Sequence, residues 1–419
     1  MSLTVVVPVW KREFHPLRLL WHLDRTAFPH PVIVADGGDN SVLEGVLADK
    51  TNLPRLTYDY FKYDDRSITH FSLKMADAIS KVKTPYIVNL AEDDFCLPSG
   101  LRRAIEFLET NVDYACCGGK VANYVVGSGP PAPSQESVVG NSFGLLDAQP
   151  FTNVSENIGE TARERIFDQL KDYAYTYVSV CRKDDAQHAF REVAASGITE
   201  NRLWDLFINA IVLARGKSKF EKSQVHYVRQ RGNSITWMDH ESADDNSISP
   251  PSPPNFYSQV VEERWHRDFA MFASKLADGI AKTDGISLDG LEDAIREIMA
   301  GYFQNFEKQA SETEAAQSGR SCPKGFAKRR LRSALASLTP PTLRRAACKA
   351  EQRRKLKALG IARRATVDTL RADGADQAYL DTLNAEFDAI EETLTGNGFV
   401  NFLRNTAPQC LAEAGTSAV

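Results

Sequence analysis

Tyr86-Ile87-Val88-Asn89-Leu90-Ala91-Glu92-Asp93-Asp94-Phe95 is an apolar run that passes straight into three consecutive carboxylates. Adjacent acids repel one another. At the end of a buried strand such a cluster is stable chiefly when a cation or a network of donors neutralises it. A divalent metal holding a diphosphate is one reading, because Mg²⁺ or Mn²⁺ takes one or two carboxylates together with phosphate oxygens and water. The other is a solvated acidic turn ahead of the helix expected after Pro98, since Asp and Glu favour helix starts.

The chain around this stretch supplies the context. Leu3 to Val9 is a β-branched run, and Glu13 to Arg25 follows with Leu17, Leu20 and Trp21 at helical spacing. Pro31 to Ala35 is a second apolar run ending in the turn-rich Asp36-Gly37-Gly38-Asp39-Asn40-Ser41. Leu53 to Phe61 reads as a third strand, Phe71 to Lys81 as a helix with Leu73, Ala76 and Ile79 inward, and Tyr86 to Leu90 as a fourth strand. Strands alternating with helices argue an α/β fold with a doubly wound, mostly parallel sheet. Ligands of such sheets bind outside the carboxyl ends of the strands, where Asp36 and the Glu92 cluster fall.

Further on, Ser99 to Thr110 reads as a helix, Tyr114 onward as a strand and Gly127 to Asn141 as a Pro-, Gly- and Ser-rich surface loop. Ala174 to Cys181 is an apolar strand, Asn201 to Ala214 a helix, and Gln224 to Val228 a strand leading to Arg229-Gln230-Arg231-Gly232-Asn233-Ser234. Residues 246–255, with four prolines, form a linker that separates an α/β domain over 1–245 from a helical region over 256–419.

Composition bounds the possibilities. With 419 residues and 43% hydrophobic residues the chain has room for two domains and a sizeable core. The N-terminus lacks the charged start and apolar stretch of a signal peptide, and no apolar run approaches 18 residues, so a cytoplasmic protein is expected. Seven cysteines show neither a CxxC pair nor ligand spacing, which argues for reduced thiols. Residues 320–364 hold 15 Lys or Arg and one acid, Glu351, so a chain of −5 overall carries +14 here and −19 elsewhere. Such a block implies an anionic partner, a membrane surface at the inner face, or docking onto the protein's own acidic body. No aromatic interleaving accompanies it, so no nucleic acid is expected.

Thr4-Val5-Val6-Val7-Pro8-Val9, Ile33-Val34-Ala35-Asp36-Gly37-Gly38, Glu92-Asp93-Asp94, Gly197-Ile198-Thr199-Glu200 and Val225-His226-Tyr227, in that order, resemble the GT-A glycosyltransferases of the family 2, inverting type. The resemblance spans roughly residues 3 to 236. It implies a nucleotide-sugar donor, a UDP-sugar foremost, Mn²⁺ or Mg²⁺, and a glycan, lipid-linked or protein acceptor in envelope glycan or glycoconjugate synthesis. Carried over by residue, Asp36 binds the nucleobase edge, Glu92 the ribose or a metal-bound water, and Asp94 the metal. Asp93 belongs to the same motif. Lys74, Arg229 and Arg231 approach the diphosphate, and His226 approaches the metal or the diphosphate. Glu200 is the general base, but Asn201 stands where the family usually has a second acid, which leaves Asp205 as a substitute.

Each residue also has a plainer reading. Asp36 can be a turn former before Gly37-Gly38, Glu200 a first-turn helix acid and His226 a core histidine; Arg229 and Arg231 can be a solvated strand end. A nucleotide-sugar or glycan-binding module without transferase activity is therefore the alternative function. A nucleotidyltransferase is weaker, because Trp10-Lys11-Arg12-Glu13 replaces the Gly-rich phosphate loop such chemistry uses.

Overall fold

The computed structural model describes residues 2–10, 12–127, 142–149, 156–171, 175–230, 263–300 and 363–407. The strands are β1 (Leu3–Val9), β2 (Val32–Asp36), β3 (Tyr58–Lys62), β4 (Tyr86–Asn89), β5 (Phe95–Cys96), β6 (Tyr114–Gly127), β7 (Ser142–Gln149), β8 (Val180–Arg182) and β9 (Lys217–Gln230). Successive side chains of a strand point to opposite faces. Val5, Val7 and Val9 of β1 accordingly enter one core and Val6 the other. Val32 and Val34 of β2 go with the first set, Ile33 and Ala35 with the second. Uninterrupted apolar strands require cover on both faces, and helices provide it.

The strands form one sheet in the order β3-β2-β1-β4-β8-β6-β9-β5, with β7 on β6. From β3 to β4 all pairing is parallel. The second half is mixed: β6 runs parallel to β9, while β4–β8, β6–β8, β6–β7 and β5–β9 are antiparallel.

Helices α1 (Phe14–Arg25), α2 (Ser41–Ala48) and α4 (Pro98–Thr110) lie on the first face. On the second lie α3 (Ile68–Ser80), α5 (Ala162–Lys171), α6 (Lys183–Ser196) and α7 (Asn201–Arg215). The C-terminal helices divide between the same two layers. Helix α8 (Glu263–Asp284) and the helix over 291–300, α9, join the second core through Phe272, Leu276, Ile280 and Ile295. The helix over 363–372, α10, with α11 (Gln377–Thr395) and α12 (Gly398–Thr406), joins the first through Leu370, Leu383, Phe387 and Phe399. Each such side chain, fully buried, is worth about 1.5–3 kcal/mol. The described C-terminal helices thus complete the sheet's own cores. The 246–255 linker lies outside the described residues, as does the basic block up to residue 362. Arg363, near its end, bonds Asp388 Oδ1 at 2.7 Å and the Asn384 carbonyl at 2.6 Å, both on α11.

Three local expectations change. Helix α3 starts at Ile68 and turns Phe71, Met75, Ala78 and Ile79 inward; Ala76 is buried as expected, but Leu73 is 53% exposed. Of the expected strand at Ala174–Cys181, whose first residue lies outside the described ones, only Val180 and Cys181 pair with the sheet, in a strand that runs on to Arg182. Before it the Thr176 amide and hydroxyl both donate to Asn209 Oδ1 on α7 (2.9 and 2.6 Å), so this stretch is tied to a helix and not to a ladder. Strand β9 is far longer than Gln224–Val228. Gly100 of α4 lies so close to β9 that a Cβ there would sit 2.1 Å from the Val225 carbonyl oxygen, which only glycine allows.

Candidate active site

Strand β1 lies between β2 and β4, and the strand order reverses there, so the crevice opens at the carboxyl ends of these three strands. Asp36 ends β2 and is fully buried. Its Oδ1 accepts from the Gly38 amide (2.9 Å) and Asn40 Nδ2 (2.6 Å), and its Oδ2 from the Tyr60 hydroxyl (2.7 Å) and Lys62 Nζ (3.3 Å). A carboxylate offers about four acceptor sites. Asp36 thus ties the β2 turn to the end of β3.

The acidic motif is held by a network of donors. Asp93 Oδ2 accepts from Arg12 Nη1 at 2.9 Å, and the same nitrogen stands 3.7 Å from Glu92 Oε1. The Asp93 carbonyl accepts from the buried Arg18 Nη2 (3.0 Å) and from the Tyr124 hydroxyl (2.6 Å). Arg18 Nη2 also donates to Gln230 Oε1 at 2.9 Å. Asp94 is bonded through both oxygens, Oδ1 to the Gln230 amide (2.7 Å) and Oδ2 to the Tyr227 hydroxyl (2.8 Å). Arg12, Arg18, Tyr124 and Gln230 play no part in the sequence reading of the motif. The compensation is incomplete. Burial and then Asp93's charge raise Glu92 to about 7 against the pull of Arg12, and the same two causes push Asp94 well above the usual carboxylate range.

Lys74 is buried and pairs with Asp65 Oδ2 at 2.5 Å, with the Val9 carbonyl 3.3 Å away. Burial lowers the pKa of Lys74 and raises that of Asp65, in each group against the attraction of the other. Asp65 is a site residue without a sequence signal; Gly37 makes room for it, since a Cβ there would sit 2.2 Å from Asp65 Cβ. Asp65 Oδ1 and Asn89 Oδ1 are buried with no hydrogen-bond partner among the described residues.

His226 lies inside the sheet. Its Nδ1 accepts from the Gly119 amide at 3.0 Å, so Nε2 carries the proton and donates to the Val178 carbonyl at 3.0 Å. Burial lowers its pKa to about 4. A neutral ring with both nitrogens engaged by backbone offers no lone pair to a metal, so His226 is a core histidine here. Among the described residues no three His, Cys, Asp or Glu gather into a metal cage.

An aromatic cluster lies beside the end of β4. Tyr177 packs on Tyr175, Phe190 and Trp204 at 5.8–6.2 Å between ring centroids. Asp205, half-buried on α7, acts on both tyrosines: after burial its charge is the largest cause raising their hydroxyl pKa values. Tyr175 also feels Arg229 and Asp94, and Tyr177 feels Glu92. Asn89 Nδ2, at the end of β4, donates to the Tyr177 carbonyl at 3.2 Å, so the tyrosine segment adjoins the strand that leads into the acidic motif. Glu200 is half-buried at the start of α7, where its amide donates to Asp268 Oδ2 of α8 at 2.8 Å. Arg231 lies outside the described residues.

No protein-family model and no curated protein sequence matches the chain. Among solved structures the chain is similar to S. aureus TarS 1-349 at 13% identity and a TM-score of 0.40, over 73% of this chain and 92% of that one. The mannosyltransferase PcManGT from Pyrobaculum calidifontis, in complex with GDP-Man and Mn²⁺, is similar at 12% identity and a TM-score of 0.34, over 86% of each chain. Divergence of that size says nothing of which donor, metal or acceptor this chain handles; its own side chains carry the functional reading.

Proposed function

We propose that this chain is an inverting glycosyltransferase that moves a sugar from a nucleoside diphosphate to a hydroxyl of a glycan, lipid-linked or protein acceptor. The observation that carries the reading is the buried, undercompensated pair Glu92 and Asp94 just past the end of β4, with Asp205 of α7 close enough that its charge acts on Tyr175 and Tyr177, which also feel Asp94 and Glu92 respectively. Such a transfer needs positive charge where the diphosphate leaves and a carboxylate where the acceptor loses its proton.

Asp205 is assigned the base in preference to Glu200. It lies four residues beyond Asn201, one helical turn on, so a carboxylate stands on the face of α7 to which position 201 belongs. It takes the proton of the acceptor hydroxyl as that oxygen bonds the anomeric carbon and the bond from that carbon to the diphosphate oxygen breaks. Direct displacement leaves the configuration inverted. Arg229, whose charge acts on Asp94, would share the leaving charge.

A divalent cation fits the donor set. Glu92 and Asp94 are hard oxygen ligands whose charge burial opposes, and Mg²⁺ or Mn²⁺ needs only one or two carboxylates beside phosphate. Bound there, it would supply Lewis-acid charge to the diphosphate. Orienting the acceptor and holding its proton fall to Asp205 and the two tyrosines.

The test is release of nucleoside diphosphate from a panel of sugar nucleotides. Transfer or slow donor hydrolysis by the wild type, lowered at least about 100-fold in Asp205→Asn and far less in Glu200→Gln, supports the reading. Equal activity of Asp205→Asn and wild type removes the assignment. No turnover with any donor favours the binding-module alternative.

A further inference from the structure

Helices α4 and α7, which flank the candidate site, have Leu97 and Glu200 as their N-cap residues, neither of which bonds the helix start through its side chain. The first four amides of a helix have no partner within it, so buried starts need acceptors from elsewhere. At α4 one comes from a C-terminal helix, and at α7 a C-terminal helix grips the N-cap residue and the one before it. Glu386 of α11 takes the Ser99 amide (2.9 Å) and hydroxyl (2.6 Å). Asp268 of α8 takes the Thr199 amide (2.7 Å), the Thr199 hydroxyl (2.9 Å) and the Glu200 amide (2.8 Å), all on Oδ2.

The Asp268 contact is built to hold its charge. Its side chain is fully buried, and its other oxygen accepts from Arg267 Nε (3.0 Å) and Nη2 (2.8 Å). Arg267 Nη2 also reaches the Thr199 hydroxyl at 3.2 Å. Burial pulls the Asp268 pKa up, but Arg267 and the Thr199 and Glu200 donors outweigh it and the net shift is down. The segment it grips is short: Gly197 ends α6 with φ of +75°, and α7 begins at Asn201. Phe207 and Phe272 pack at 5.8 Å between centroids and lock α7 against α8 beyond the grip.

The geometry points to Asp268 as a positioning residue: through the Thr199 and Glu200 amides it sets where α7 starts and so where Asp205 stands relative to the acidic motif. The inference rests on the glycosyltransferase reading for its catalytic consequence. It makes a side chain of the C-terminal region, with no contact to substrate, a determinant of turnover.

Asp284, at the other end of α8, serves as a control. It caps α5 through the Ala162 and Arg163 amides, both at 2.8 Å. Both carboxylates accept from backbone amides at a helix start, but Asp268 meets the segment that leads into the helix carrying Asp205. In the full chain, Asp268→Ala is expected to lower kcat at least roughly tenfold, up to about 100-fold, with the donor KM within about twofold. Asp268→Asn, which keeps an acceptor oxygen, recovers part of the loss, and Asp284→Ala matches wild type per folded molecule. Equal kcat in Asp268→Ala and Asp284→Ala, or a fall in Asp268→Ala carried by donor KM alone, overturns the inference. Amide hydrogen exchange separates this outcome from failure of the functional reading. Faster exchange over residues 199–206 in Asp268→Ala supports the grip even in a chain that transfers nothing, and unchanged exchange there overturns it.

Discussion

Replacing Glu92 by glutamine should make the ligand-free protein more stable at neutral pH. Glu92 faces Asp93 in a buried setting that holds its folded-state pKa at about 7, against 4.5 as its ordinary value. Below pH 4.5 the group is protonated in both states. As pH rises through this window the unfolded chain sheds the proton first, so stability falls until the pH passes about 7. The full interval corresponds to at most about 3 kcal/mol at 1.36 kcal/mol per unit. The Glu92 side chain keeps 17% exposure, and screening reduces the figure to about 1–3 kcal/mol. With about 2.1 cal/mol/K per residue, a chain of 419 residues has an unfolding entropy near 0.9 kcal/mol/K, so this is about 1–3 °C in Tm. Scanning fluorimetry of wild type and Glu92→Gln from pH 4.5 to 8 reads the difference directly. The variant should gain on wild type as pH rises and level off above about 7. A constant difference across the range, or a growing advantage for wild type, would refute the placement of Glu92 as an undercompensated acid.

Tyr227→Phe removes the donor to Asp94 Oδ2 and the acceptor of the Ala91 amide at 3.1 Å, and should lower stability by about 1–3 kcal/mol in urea titration. Lys74→Met strands the Asp65 carboxylate and should cost about 3–5 kcal/mol, most of it recovered in Lys74→Met/Asp65→Leu; additive losses would argue against a coupled pair. His22 bonds Thr393 Oγ1 at 2.7 Å, and burial, then Arg25 and Arg18, lower its pKa to about 3. The unfolded chain protonates it near its ordinary 6.5, so stability is lost as pH falls below that, by up to about 1.4 kcal/mol per unit. His22→Gln should flatten that slope between pH 6.5 and 4 in equilibrium denaturation.

The parallel half of the sheet is legible because its strands are apolar on both faces, and such runs have few alternatives. Leu73 is misplaced by periodicity because the register of a 13-residue helix depends on where it starts, and Ile68 was not read as part of it. The strand expected at Ala174–Cys181 is shortened by Asn209, a competitor for its backbone that no local pattern reveals. The acidic motif is visible, but its counter-charges are not: Arg12 and Arg18 stand 81 and 75 residues from Asp93 in sequence. Two arginines just past the end of β1 are the one signal that could have pointed to them. Asp268 sits among ordinary helical residues, and its meaning depends on a contact 68 residues back along the chain. His226 shows the converse, a residue type suited to metals whose ring is wholly occupied by the sheet.

Nucleotide binding by wild type and Asp94→Ala, measured by calorimetry with UDP, GDP, CDP and ADP in the presence and absence of Mn²⁺, tests the central claim most directly. The account predicts that at least one nucleoside diphosphate binds the wild type, tighter with Mn²⁺, and that Asp94→Ala loses the Mn²⁺ dependence. Binding of none of them, or a Mn²⁺ effect untouched by the Asp94 substitution, would contradict it.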